Sequence, residues 1–375
     1  MPPLPRPSIH LPAPGTRRGV VIGAGSFGTA VAVLLARGGL RTTLQTRTES
    51  QARQLAADRE NRAYLPGVEL PRELRIEPVE AGLARADYVF LGVPSNGLHE
   101  VIEGLPAHGL PPGAAVVSLA KGLVPPDGAA PTALLTRQFG SVRTACIGGP
   151  AHAREMVSEG AGLVAASAAE GLASTLAEVF IRAGVVCERS NDPIGVELAG
   201  VAKNAAALAS GATEAQGLNA VGAAAGHIFA EVWRLAERQG ARPESLIGLA
   251  GVGDLVATAL APESRNRRAG ELLAQGISAA EIPARVGQAI EALESVALLA
   301  KALGAAEIEA PVTSALAKLI AGELPLEDWV SVVRTTVPAP ARWRAPVSAG
   351  FWRRLRERIS GWFARRFSSD ERAPS

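Results

Sequence analysis

An α/β N-terminal domain followed by an all-α C-terminal domain is the fold class that this 375-residue sequence predicts. Three observations carry it. Apolar, strand-like runs alternate with helical stretches from Gly19 to about residue 190, the pattern of a parallel sheet with right-handed crossovers. Those runs stop after "SNDPIGVELAG", and residues 194 to 335 read as helix almost throughout. The first run also ends in G-x-G-x-x-G, at Gly23, Gly25 and Gly28, directly before a helical pattern.

In chain order the expected strands are "GVVIGAG", "RTTLQTR", "DYVFLGVP", "AAVVSLAKG", "TACIGGP" and "AGLVAAS". Expected helices at about 26–38, 48–57, 95–104 and 171–183 fall between several of them. In the second half Gly211, Pro243, Gly276, Pro283 and Pro311 are read as helix breaks. The organisation expected is a Pro-rich lead at 1–17, a dinucleotide-binding domain at 18–192 and a helical substrate-binding domain at 193–335. A linker with a basic tail follows at 336–375. The junction of the two domains is the default site.

Composition bounds the function. Hydrophobic residues make up 47% and charged residues 20%, the balance of a soluble globular chain, and a net charge of +2 gives no general reason to bind nucleic acid. Two cysteines, Cys146 and Cys187, allow at most one disulfide and fit a reducing cytoplasm. "MPPLPRPSIHLPAPGTRR" has no apolar segment and reads as a disordered lead rather than a signal peptide. No run of about 18 uncharged apolar residues reads as a membrane span. His10, His99, His108, His152 and His227 have no metal-ligand spacing.

Each glycine of the motif has a physical reason. Gly23 permits a tight turn, Gly25 lets backbone approach a pyrophosphate, and Gly28 lets strand and helix pack closely. The helix start then offers N–H groups and a positive dipole end to the anion. A bare structural turn is the competing reading. An acid at the end of the second strand would select NAD, but Arg47 stands there and suits a 2′-phosphate, favouring NADP. Glu49 keeps NAD open, and a solvated Arg47 is the plain alternative.

Three charges lie where charge is costly. Lys121 ends "AAVVSLAK", Lys203 sits in "ELAGVAKNAAALASG", and Asp254 in "LIGLAGVGDLVATAL". A buried charge needs a partner or shifts its pKa towards neutrality. A lysine shifted in that way suits proton exchange with an alcohol during hydride transfer. The alternatives are lysines that snorkel to solvent, or a plain buried ion pair. In "SRNRR" Ser264 is placed to cap a helix, with Arg265 and Asn266 in its first turn, an arrangement suited to phosphate. A solvated basic surface is the plainer reading.

"GAGSFGTA", "NRAYLPGVELP", "SLAKGL", "GGPAHARE", "SNDPIGVELAGVAKN", "GVGDLVATALAPESRNRR" and "GQAIE" follow one another along the chain. In these segments the sequence resembles bacterial NAD(P)-dependent sn-glycerol-3-phosphate dehydrogenase, over about residues 18 to 335. The resemblance implies a Rossmann-type N-terminal domain and a helical C-terminal domain. It implies interconversion of sn-glycerol 3-phosphate and dihydroxyacetone phosphate for glycerophospholipid synthesis. By motif it assigns Ser26, Phe27, Arg47, Lys121, Ala153, Arg265 and Glu291 to the cofactor, beside Gly23, Gly25 and Gly28. It assigns Lys121, Gly149, Lys203, Asp254, Ser264, Arg265 and Asn266 to the substrate. Lys203 is its proton-exchanging residue, and Lys121 and Asp254 complete the catalytic set.

The sequence departs from the family pattern at Glu214-Ala215 (for Asp-Gly), at Val221 and Ala223, at Ala151, and at Ala292 after Glu291. Two other readings therefore stand beside the first: the same chemistry on another polyol phosphate, and a membrane-associated dinucleotide-binding paralogue without turnover. "FWRRLRERISGWFARRF", residues 351–367, spaces aromatic and aliphatic residues at a helical period with arginines between. That pattern suits a peripheral contact with the inner membrane face, or docking on the body or on a second copy in a homodimer.

Overall fold

The computed structural model describes residues 17–261, 264–287 and 290–338. The lead and the amphipathic tail expected from the sequence lie outside these residues, apart from Arg17 and the positions just after Thr335. The described residues up to Thr336 belong to one compact unit.

The first half comprises β1 (Arg18–Ile22), α1 (Ser26–Arg37), β2 (Arg41–Thr46), α2 (Glu49–Asp58), β3 (Glu60–Asn61), β4 (Leu65–Glu69), β5 (Arg75–Pro78) and β6 (Tyr88–Leu91). It continues with α3 (Leu98–Gly104), β7 (Ala115–Ser118), α4 (Pro131–Phe139), β8 (Thr144–Gly148), α5 (Ala153–Ser158), β9 (Gly162–Ala166), α6 (Glu170–Arg182) and β10 (Val186–Ser190). Eight strands form one sheet in the order β10-β9-β8-β7-β6-β1-β2-β5, while β3 and β4 pair separately. Central strands such as β6 and β7 are buried at every position, as a sheet covered by helices on both faces requires. One face packs on α1 and α6 through Val31, Leu34, Leu35, Leu176 and Phe180; the other packs on α3 and α4 through Leu98, Ile102 and Leu135.

The sheet corrects one expectation. It is not parallel throughout, because β9 runs antiparallel to β8, with Ile147 opposite Ala165. The chain turns back at Gly149, where φ is +97° and an added Cβ would lie 2.2 Å from the Gly162 carbonyl oxygen. α5, six residues long, is too short to carry the chain across the sheet to a parallel position.

The second half is helical: α7 (Pro193–Thr213), α8 (Leu218–Arg238), α9 (Pro243–Ile247), α10 (Asp254–Leu260), α11 (Arg265–Ala274), α12 (Ile282–Val286), α13 (Glu291–Ala305), α14 (Pro311–Ile320) and α15 (Leu326–Thr335). Asp192 caps α7 by accepting the Gly195 N–H at 2.9 Å, and Pro193 starts it. From Gly195 to Thr213 every residue of α7 is buried, so this Ala-rich helix is the axis of the second core. Gly211 does not break it. α7 continues through Gly211 because this glycine and Gly270 allow α7 and α11 to touch. Cβ atoms there would lie 2.0 Å from the Arg267 carbonyl oxygen and 1.9 Å from that of Leu208. Pro243, Pro283 and Pro311 do stand in the first turns of α9, α12 and α14. No helix among the described residues is long and apolar enough to cross a membrane.

Candidate functional site

The glycine turn joins β1 to α1. Gly23 has φ +109°, and a Cβ there would lie 2.5 Å from the Gly92 carbonyl oxygen; a Cβ on Gly28 would lie 2.1 Å from that of Gly23. These two glycines therefore close the turn. Gly25 differs, since nothing lies within 4 Å of its Cβ position. It is the N-cap of α1, and no side chain caps the helix. The first turn of α1 thus has no capping side chain and is open at Gly25, a cradle that fits a pyrophosphate. Ser26 and Phe27, both half-buried, border it.

The three charged residues singled out in the sequence meet. The Lys121 ammonium, just past β7, donates to Asp254 Oδ2 at 2.9 Å and to the Gly149 carbonyl at 2.9 Å. Lys203 Nζ lies 3.2 Å from Asp254 Oδ1 and donates to Thr258 Oγ1 at 3.1 Å. Lys121 Nζ also lies 5.3 Å from the centre of the Phe27 ring. One run of contacts therefore leads from the glycine turn to the buried helix α7. A small cavity follows it, bordered by Lys121, Gly149, Glu197, Gly200 and Asp254.

Burial and the adjacent Lys121 charge bring the Lys203 amine down to about 8, against the pull of Asp254. Burial pushes the Asp254 carboxyl up, but the two ammonium groups outweigh it and hold that carboxyl below its ordinary value. Lys203 is thus poised to change protonation near neutral pH beside a carboxylate that stays ionised.

The residues that the sequence marked for phosphate lie at a helix start. Ser264 caps α11, accepting the Arg267 N–H at 3.4 Å, and Arg265 and Asn266 occupy the first turn, Arg265 exposed. Asn266 donates to Asn204 Oδ1 at 2.9 Å and accepts the Ala292 N–H at 3.4 Å. Asn204 in turn donates to the Lys121 carbonyl at 3.1 Å and lies 3.5 Å from Glu291 Oε2. The starts of α11 and α13 are so tied to the loop that carries Lys121. Ala153 begins α5, and Arg47 is exposed just beyond β2; both stand outside this contact set. Glu214, one of the departures from the family pattern, pairs with Arg267 at 2.6 Å.

Sequence reasoning passed over three residues. Asn204 adjoins Lys203 in "AKN", and an amide on an Ala-rich helix is as conspicuous as the lysine. Thr258 follows Asp254 by four positions, one helical turn, and so shares its face. Glu197 is a buried acid in "GVELAG" whose carboxyl takes the Thr132 N–H at 3.0 Å and its hydroxyl at 2.6 Å. Burial, outweighing those bonds, pushes it up to about 8.

Comparison with known proteins gives a consistent picture. The family model for the N-terminus of NAD-dependent glycerol-3-phosphate dehydrogenase matches residues 20–173, and that for its C-terminus matches 192–331. The chain is similar to a glycerol-3-phosphate dehydrogenase (NAD(P)+) of Deinococcus radiodurans, 38% identical over 310 residues, which cover 81% of this chain and 90% of that one. A second, from Chlorobium limicola, is 35% identical over 326 residues, covering 85% and 97%. Among solved structures, the glycerol-3-phosphate dehydrogenase of Coxiella burnetii superposes with a TM-score of 0.81 at 30% identity. That match covers 86% of this chain and 100% of the other.

Proposed function

We propose, because this chain belongs to the NAD-dependent glycerol-3-phosphate dehydrogenase family, that it interconverts sn-glycerol 3-phosphate and dihydroxyacetone phosphate with NAD(P)(H). The observation that carries this reading is the buried Asp254 carboxylate shared by Lys121 and Lys203, joined through Phe27 to the glycine turn. Residues 18–192 serve as the cofactor half and 193–335 as the substrate half. Gly23, Gly25, Gly28, Ser26, Phe27, Arg47, Lys121, Ala153, Arg265 and Glu291 hold the dinucleotide, and Arg47 favours NADP(H). When bound, the nicotinamide supplies or accepts the hydride.

The rest is the work of the chain's own side chains. In the reducing direction the Lys203 ammonium gives its proton to the oxygen of the substrate carbonyl as negative charge grows there. In the oxidising direction the neutral amine takes the hydroxyl proton. Asp254 fixes Lys203 and Lys121 together, and Lys121 with Gly149 orients the substrate. Ser264, Arg265, Asn266 and the start of α11 hold its phosphate. The Ala- and Gly-rich wall of α7 keeps water from the proton path.

The test follows oxidation of NADPH and NADH with dihydroxyacetone phosphate and with other keto-phosphates. Faster turnover of dihydroxyacetone phosphate than of any other, and a lower KM for NADPH than for NADH, are expected. Faster turnover of a different keto-phosphate would favour the second substrate reading, to which the Glu214–Arg267 pair beside the phosphate-binding turn lends support. Cofactor binding without turnover would remove the enzyme reading.

The tail at 351–367 brings the enzyme, in a cytoplasm-facing position suited to glycerophospholipid supply, to an anionic membrane surface. The full chain is expected to co-sediment with anionic vesicles and a chain ending at residue 340 to stay in solution. Equal sedimentation of both removes the proposal. A halved mass on truncation would mark the tail as a contact between two copies instead.

A further inference from the structure

We infer that Asn61 is a positioning residue for the dinucleotide, acting through the glycine turn. It belongs to "NRAYLPGVELP", a segment that contributes nothing to the catalytic cluster. Asn61 closes the two-residue strand β3 and is 2% exposed. Its amide nitrogen donates to the Ala24 carbonyl at 2.9 Å and to Thr29 Oγ1 at 2.8 Å. Both hydrogens of one amide are therefore used, one on the turn and one on the helix that the turn begins. Ala24 is the residue between the first two glycines of the motif, and Thr29 is fully buried in α1.

The consequence follows from peptide geometry. In a planar trans peptide the C=O and the next N–H point in opposite directions. Holding the Ala24 oxygen towards Asn61 turns the Gly25 N–H away from it and fixes the plane of the peptide that enters the open space at Gly25. Gly25 alone would let that peptide rotate, because glycine resists few backbone angles. Asn61 removes that freedom before any ligand arrives, which lowers the ordering that binding must impose.

Asn61 can do this because its own segment is rigid. Leu65, Val68 and Leu70 of the following stretch are buried in the same core as α1. The Leu70 N–H donates to the Arg59 carbonyl at 2.8 Å, and the Arg59 guanidinium donates to the Leu74 carbonyl at 3.0 Å and to that of Pro71. The hairpin is thus a brace anchored in the core, with one amide reaching the turn.

The inference rests on the glycine turn being the seat of the cofactor, and its test separates the two. NADPH fluorescence is titrated with wild-type protein, Asn61→Asp and Asn61→Ala, alongside Tm and steady-state kinetics. Asn61→Asp keeps the shape and removes both donors. The expected result is an NADPH dissociation constant raised about ten- to a hundredfold, with kcat at saturating NADPH and KM for dihydroxyacetone phosphate within about twofold. A lower Tm with an unchanged NADPH dissociation constant would overturn the inference and leave Asn61 a structural residue. If Asn61→Asp does not fold, Asn61→Ala decides by the same measurements. Wild-type protein that binds no NADPH would overturn the cofactor reading and this inference with it.

Discussion

Replacing Lys203 with methionine is expected to lower kcat for reduction of dihydroxyacetone phosphate by about 10²–10⁴-fold, the usual worth of a positioned proton donor. The NADPH dissociation constant, read by fluorescence, is expected to stay within about threefold. The variant should fold. Burial already disfavours the Lys203 ammonium, as its descent to about 8 records, and methionine fills similar space without that cost. The pH profile gives the sign. Reduction needs the protonated amine, so kcat is expected to be level below about 8 and to fall tenfold per unit above it. Oxidation needs the neutral amine and rises up to the same point. Methionine erases both limbs. Stability carries the same group with its own sign: between about 8 and the ordinary lysine value, the unfolded chain holds a proton that the native chain has lost. Wild-type stability therefore rises with pH across that window, and the Lys203→Met variant lacks this rise. Undiminished turnover in the variant would remove the proposed mechanism.

Much of this was legible in the sequence because several features are local. A strand, three glycines and a helix sit within one short run, and each glycine's role follows from its position between the strand and the helix. Charges inside Ala- and Gly-rich runs are equally conspicuous, and Lys121, Lys203 and Asp254 do converge. What stayed hidden depends on partners far along the chain. β10 and β5 lie at the two edges of the sheet, half-exposed, so "VCERS" and "RIEP" lack an apolar signature. Gly211 reads as a break until the Arg267 carbonyl is known to press on it. The direction of β9 is set by the turn at Gly149 against Gly162, which alternation of strand and helix does not encode. Asn61 resembles any polar residue beside a turn until Ala24 and Thr29 are seen to receive its amide.

Asp254 is where stability and chemistry coincide, and Asp254→Asn is expected to damage both. Its carboxylate is fully buried and accepts from two ammonium groups whose side chains are only 15% and 9% exposed. An asparagine in the same place offers one oxygen to one lysine and turns an NH2 towards the other. Removing one partner from a buried ionic cluster costs about 3–5 kcal/mol, because the remaining charge has no counter-ion. For a chain of this size that is a fall in Tm of roughly 4–7 °C, readable by calorimetry at pH 7. The pH dependence identifies the cause. Asp254 is held below its ordinary value in the native state, so its contribution is present above about pH 4, where an unfolded aspartate is ionised. It is lost as pH falls through the lower native value. The gap in Tm between wild type and variant is therefore expected to narrow progressively as the pH is lowered below about 4. The same substitution strips Lys203 of the carboxylate that favours its charged form, so the limb at which reduction fails should move from about 8 to lower pH. A variant that loses stability but keeps the wild-type limb would separate Asp254 from the proton path and leave it a structural ion alone.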